Sequence, residues 1–343
     1  MGCTIRALDP RREEAWDHYV AAMPEGTFFH LAGWRRVIER AFGHRAHYLL
    51  AERDGAITGV LPLVHIKSRL FGNALVSVPF CVYGGPIASE EESLEGLLDH
   101  CRDLMQRLGT DLIEFRSRKP VAGEWPTRSS LYATFRRPLA GDDETNLKAI
   151  PRKQRAVVRK GIANGLKSRI GQDADRFHRL YAESVRNLGT PVFSRRYFRV
   201  LIECFRECCE ILTVEEDGAA AAAVLSFYFR DEVLPYYGGG TLRARQCAAN
   251  DFMYWELMRH AARRGIRVFD FGRSKFGTGS FDFKKNWGFT PEPLHYQYQV
   301  RPGRSIPDHN PLNPKYRFLI AAWKRLPLPL ANLIGPPIVR GIG

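Results

Sequence analysis

Nothing in this chain is spaced to hold a structural metal or to cross-link itself. The seven cysteines are scattered, odd in number and never arranged as CxxC, which excludes a thiolate zinc motif and gives no basis for a disulfide framework. His44 and His47 are three residues apart but lack a third ligand nearby, so no metal is expected. An apolar leader is also missing. Met1-Gly2-Cys3-Thr4-Ile5-Arg6 runs directly into the charged stretch from Asp9 to Glu14, and the expected compartment is the cytoplasm, with peripheral contact to the inner membrane left open. Long hydrophobic runs are scarce. The longest uncharged stretch, Leu70 to Ser89, is broken by Gly72, Pro79, Gly84, Gly85 and Pro86, which suits buried strands and not a membrane span.

Acid is absent where base is dense. Between Thr145 and Gln172 there are eight bases and no carboxylate, and from Arg301 to Gly343 seven bases face Asp308 alone. These two segments account for the whole net charge of +14. Charge concentrated in this way points to an anionic partner such as a phosphate, a nucleic acid or a lipid surface. The last segment mixes Phe318, Trp323, Lys324 and Arg325 with the apolar run Leu326 to Val339. It suits either an anionic inner-leaflet surface or ordinary packing on the second domain.

What the sequence does contain is a repeat. The 343 residues, 45% hydrophobic, can fill two ordinary cores. Phe29 to Ile38 parallels Phe193 to Ile202, each with apolar residues at helical spacing. The stretch from Ala51 through Asp54-Gly55 to Leu61 parallels Val214 through Asp217-Gly218 to Leu225, and Asp-Gly between apolar runs signals a hairpin. Pro79 to Gly85 parallels Pro235 to Gly240 as an apolar strand ending in glycines, and Gly109 to Phe115 parallels Gly265 to Phe271 as a helix stop followed by a short strand. Four matches in one order at nearly constant offset predict a duplication. The expected domains are 1–144 and 145–300, the second being the catalytic one, with 301–343 as a basic apolar tail. Each copy reads as a mixed sheet flanked by helices, an α/β (α+β) fold, and this order of elements resembles the GNAT acyltransferase superfamily, which implies tandem GNAT-like domains.

The stretch Phe269-Asp270-Phe271-Gly272-Arg273-Ser274-Lys275-Phe276-Gly277-Thr278-Gly279, continuing as Ser280-Phe281-Asp282-Phe283-Lys284-Lys285-Asn286-Trp287-Gly288-Phe289, carries the most information. Together with Tyr237-Gly238-Gly239, Asn250-Asp251, Trp255-Glu256 and Ile150-Pro151-Arg152-Lys153, it resembles the FemAB-like proteins associated with exosortase and PEP-CTERM systems. FemAB relatives transfer amino acids from aminoacyl-tRNA to a peptidoglycan precursor on tandem GNAT-like domains. The long helical-hairpin arm that such enzymes often carry is not visible here. The pyrophosphate loop of acetyl-CoA enzymes is missing as well, since Gly240 is followed by Thr-Leu-Arg-Ala-Arg-Gln-Cys-Ala-Ala-Asn.

The resemblance implies an acyl- or aminoacyltransferase that moves an activated acyl group to an amine of a cell-envelope or exopolysaccharide precursor. Its cosubstrate would be aminoacyl-tRNA or acyl-CoA, with no tightly bound cofactor. Lys284 matches the FemAB site lysine and would stand near the developing oxyanion or the carrier phosphate. Asp270 ends an apolar strand, a place where ligands gather in open α/β sheets; it would orient or deprotonate the amine, or pair with Arg273. Arg273, Ser274 and Lys275, with Gly277 and Gly279, form a basic loop whose N–H groups could face an anion. Tyr237 and Tyr83 sit where each copy's glycine-ended strand would meet a ligand gap, and read equally well as core edge. Phe283, Asn250 and Trp255 join the carrier-binding set through the resemblance. Arg152 and Lys153 open a basic helix that contacts a phosphate-bearing carrier or simply faces solvent. In the first copy the segment matching Asp270 to Lys275 is Glu114 to Lys119, followed by Pro120 and no second Phe-Lys-x-x-Trp-Gly. That copy would shape the acceptor cleft or serve as structure. Two other readings stay open, a non-catalytic phosphate, nucleic-acid or lipid-binding module and an ordinary acyl-CoA N-acyltransferase.

Overall fold

The computed structural model describes residues 2–68, 72–306 and 314–342. Leu70, which opens the uncharged stretch, and residues 307–313 of the tail lie outside the described residues. The strands are β1 (Thr4–Ala7), β2 (Arg45–Arg53), β3 (Ala56–Ser68), β4 (Gly72–Val76), β5 (Ile87–Ala88), β6 (Leu112–Ser117), β7 (Thr127–Arg128) and β8 (Tyr132–Pro138) in the front half. In the back half they are β9 (Lys167–Gly171), β10 (Cys209–Glu216), β11 (Ala219–Phe229), β12 (Glu232–Gly240), β13 (Val268–Asp270), β14 (Ser274–Lys275), β15 (Pro291–Pro293) and β16 (His295–Val300). The helices are α1 (Glu13–Ala22), α2 (Gly33–Phe42), α3 (Glu91–Leu108), α4 (Asp143–Ala149), α5 (Arg152–Ala163) and α6 (Ala174–Leu188), then α7 (Arg195–Cys204), α8 (Leu242–Gln246), α9 (Ala249–Arg263), α10 (Gly279–Asn286), α11 (Pro314–Lys324) and α12 (Leu328–Ile342).

The strands form two sheets with one shared plan. The first runs β1-β2-β3-β4-β6-β16-β7 with β5 on β3, and the second runs β14-β8-β13-β12-β11-β10-β9 with β15 on β8. In each, three consecutive antiparallel strands lead to one parallel pair, β4 with β6 and β12 with β13. The matched hairpins form as expected. Asp54 and Asp217 both take φ of 51°, and Gly55 and Gly218 follow at 84° and 78°, the left-handed pair that an Asp-Gly turn needs.

Two expectations are corrected. The domain bounds differ from 1–144 and 145–300 because the last strand of each copy completes the other copy's sheet: β8 pairs with β13, and β16 pairs with β6. The compact units are accordingly 1–131 with 293–309 and 340–343, and 132–292 with 310–339, so 301–343 is not a separate tail. Nor is Pro79 to Gly85 a strand. After β4 the chain turns irregularly, with Val78 and Phe80 at φ of 49° and 67°, while Gly84 and Gly85 donate their N–H groups to the Arg116 carbonyl. Gly85 packs closely there, since a Cβ would lie 2.1 Å from Ser117 Oγ and would make that hydroxyl rotate away.

The second unit's core packs α9 against β10, β11 and β12, and includes Val224, Phe252, Trp255, Met258, Phe269 and Trp287. On the other face α6 lies close on the end of β12. A Cβ on Gly239 would meet Tyr181 Cα at 2.9 Å and the Leu180 carbonyl at 3.2 Å, both backbone. Gly239→Ala must therefore push helix and strand apart, at a cost of about 1–3 kcal/mol. Thermal unfolding should show a midpoint several degrees lower; an unchanged midpoint would refute this packing.

Candidate active site

The short parallel contact between β12 and β13 builds the site. They pair only at Glu232 with Val268 and Val233 with Phe269. Beyond that, β12 carries an extra residue, Tyr236, because Leu225 pairs with Tyr237 while Ser226 pairs with Pro235. The bulge bends β12 away, and β13 ends at Asp270. Two strands thus diverge at their carboxyl ends, where open α/β sheets receive ligands.

Tyr254 spans this divergence. Its ring stands edge-on to Phe271, centroids 4.8 Å apart, and also packs on Phe283 and Trp287. Its hydroxyl lies where a side chain on Gly238 of β12 would begin, 2.8 Å from that Cβ position. Burial pushes the phenol up to about 12, so it stays protonated and able to donate. Sequence reasoning chose its neighbour Trp255, which is buried in the core 100° further round the helix.

Lys284 sits on α10 facing the loop that follows β13. Its ammonium donates to the carbonyls of Gly272 at 2.9 Å and Arg273 at 3.0 Å. The rings of Phe135 and Phe271 lie 5.4 and 6.0 Å away. Burial lowers it from the lysine range to about 7, opposed by the charge of Asp270 and reinforced by that of Arg273. Asp270 is 1% exposed. It accepts from the Gly272 N–H at 2.7 Å and from Thr134 Oγ1 at 3.1 Å, and Arg136 Nε stands 3.4 Å away. Arg136 is thus an ion-pair partner of Asp270. Those contacts let Asp270 hold the loop and supply negative charge beneath Lys284.

The other candidates divide. Arg273 and Lys275 both lie over the Tyr132 ring, at 4.7 and 5.5 Å, with Ser274 between them on β14, its buried hydroxyl without a hydrogen-bond partner. Phe283 packs beside Tyr254 and Phe271. These residues, Asp270 and Lys284 gather around one loop. Tyr237 does not join them by its side chain: its hydroxyl meets Tyr197 at 2.7 Å inside a cluster with Tyr181, Phe193 and Phe198. Asn250 is packed against Gly240. Tyr83 is buried against Phe29 in the first unit. Arg152 and Lys153 are exposed on the first turn of α5. That helix is anchored to the site's rear, since Gln154 and Trp287 Nε1 both donate to Asp251 Oδ1. Sequence reasoning missed Tyr132, Thr134 and Arg136 entirely, because β8 had been assigned to the first domain.

A lysine at about 7 in the folded chain and about 10.4 when unfolded links stability to pH. Between those values the unfolded state binds more protons, so this group makes stability rise as pH increases from 7 to 10, and its penalty is fully present below 7. Lys284→Met should therefore melt higher than the parent at pH 6, with the difference shrinking by pH 9. Parallel melting curves, offset equally at both pH values, would contradict this.

Residues 152–285 match the family model described as an acetyltransferase (GNAT) domain. No curated protein matches the chain. Among solved structures, that of FemX is 16% identical with a TM-score of 0.69, and the alignment covers 85% of this chain and 96% of that one. The C-terminal domain of a putative lysylphosphatidylglycerol synthetase from Agrobacterium fabrum is 13% identical, TM-score 0.57, covering 85% and 92%. A tandem GNAT protein from the clavulanic acid biosynthesis pathway is 14% identical, TM-score 0.54, covering 89% and 100%. The chain thus has a tandem GNAT-like fold, and residues 152–285 of its back half match the model of a GNAT acetyltransferase domain.

Proposed function

We propose that this protein is an aminoacyl- or acyltransferase that moves an activated acyl group from a carrier to the amine of a cell-envelope or exopolysaccharide precursor. The observation that carries the reading is Lys284, a half-buried residue whose amine is pinned by two carbonyls of the loop that follows β13. With a value of about 7 it exists in both protonation states near neutrality, which suits proton transfer at that pH. In the reaction the acceptor nitrogen attacks the carrier's carbonyl and a new amide bond forms. Neutral Lys284 takes the proton that the nitrogen sheds. The carrier's ester or thioester bond breaks, and the proton passes to the departing alcohol or thiol. Tyr254 and the protonated amine are the donors available to the oxyanion. The acyl group passes directly, without a covalent enzyme intermediate.

The carrier we favour is aminoacyl-tRNA. Where acetyl-CoA enzymes place a glycine-bearing pyrophosphate loop, this chain has the one-turn helix α8, whose Arg243 is engaged by Glu216 and Asp217. Exposed Arg152, Lys153, Arg159 and Lys160 on α5 offer a surface to a phosphate backbone instead.

Two experiments test the proposal. Lys284→Ala should lower turnover about 100-fold or more while leaving the fold intact, and unchanged turnover would remove the lysine from the mechanism. Binding of tRNA should weaken with salt, and Arg152→Gln with Lys153→Gln should reduce the slope of log affinity against log salt by roughly 1 per lost phosphate contact. An unaltered slope, or acyl-CoA found by mass analysis of the purified protein, would overturn the tRNA assignment.

A further inference from the structure

The two C-terminal helices turn one apolar face inward and a second one outward. In α11, Ile320 lies on Gly189 at the end of α6, while Phe318 and Leu319 are 80% and 61% exposed. In α12, Ala331, Gly335 and Val339 recur every four residues on the buried side, with Gly335 against Val192. Leu330 and Leu333 face the other way, 42% and 72% exposed. No charged residue occurs from Leu326 to Val339. An ordinary surface helix has one apolar stripe and a polar back; α12 is apolar on its wet side as well. Large apolar side chains left exposed on two successive helices point to an interaction surface.

Charge selects the partner. Residues 310–343 contain five bases and no acid, and Lys324, the last residue of α11, and Arg325 just after it are exposed. A second copy of a chain of net charge +14 would bring like charge to like charge. An anionic lipid leaflet supplies both complements, acyl chains for the leucines and phosphates for the bases. Among the described residues no helix is long and apolar enough to cross a membrane, so the geometry is one of lying on the surface. We infer that α11 and α12 seat this protein on an anionic lipid surface, with Phe318, Leu319, Leu330 and Leu333 entering the acyl boundary and Lys324 and Arg325 meeting the headgroup phosphates. This inference is independent of the chemistry at Lys284. It would bring the enzyme to acceptors that are carried on lipid.

The test is flotation of the full chain with vesicles. The parent should float with mixed phosphatidylglycerol and phosphatidylcholine vesicles, float weakly with phosphatidylcholine alone, and lose binding as salt rises. Phe318→Glu with Leu333→Glu, and separately Lys324→Gln with Arg325→Gln, should each lower partitioning about tenfold or more. Both pairs change exposed side chains, so melting temperatures should match the parent's and separate lost binding from lost fold. Three results would overturn the inference: a parent that stays unbound, variants that float as well as the parent, or sedimentation showing a dimer that Phe318→Glu with Leu333→Glu dissolves.

Discussion

The site depends on a single buried cation and the backbone that holds it. Lys284 gives up hydration and receives only two carbonyls, those of Gly272 and Arg273, with Asp270 as the compensating charge beneath. Burying an ammonium on those terms is costly, and a protein avoids the cost by letting the group lose its proton near neutrality. Everything around it serves to keep that arrangement in place. Asp270 is fixed by Thr134, Arg136 and the Gly272 amide, and Trp287 ties the end of α10 to Asp251 on α9. Gly288 lets the chain pass Pro151 at a distance where a side chain would lie 2.9 Å from the ring.

The supporting shell explains why the duplication is asymmetric. Both sheets have the antiparallel trio and the parallel pair, but only the second has a lysine-bearing helix after it. In the first sheet the strand matching β13 continues to Ser117, with Arg116 held by Glu114 and donating to the Cys81 carbonyl. That arginine is 5% exposed and fully engaged, so the equivalent corner is a structural clamp. The first unit thus retains the scaffold, with Arg116 engaged at the corner where the second unit carries its loop and lysine.

The sequence made the repeat legible because its signals are local. Asp-Gly turns, helix-stopping glycines and amphipathic spacing each fix a conformation within a few residues, and Asp54-Gly55, Asp217-Gly218, Gly109 and Gly265 all behave as read. Strand pairing between distant segments is not local, and there the reading failed: Tyr132–Pro138 and His295–Val300 each join the sheet that chain order does not suggest. The same limit hid Thr134, Arg136 and Tyr132 from the site. A finer error arose on α9, where Tyr254 and Trp255 are equally aromatic and only the helix's rotation decides which faces the gap. Tyr83 and Pro79 to Gly85 failed for a different reason, since a glycine-ended apolar run describes a tight irregular turn as well as a strand.

The central claim is that Lys284 is a buried amine that changes protonation near neutral pH. Selective 13C labelling of lysine side chains, followed by NMR titration with Lys284→Met to assign the resonance, measures this directly. The account predicts a midpoint near 7 for Lys284, well apart from the other lysines; a midpoint in the ordinary range, about 10.4, would contradict it.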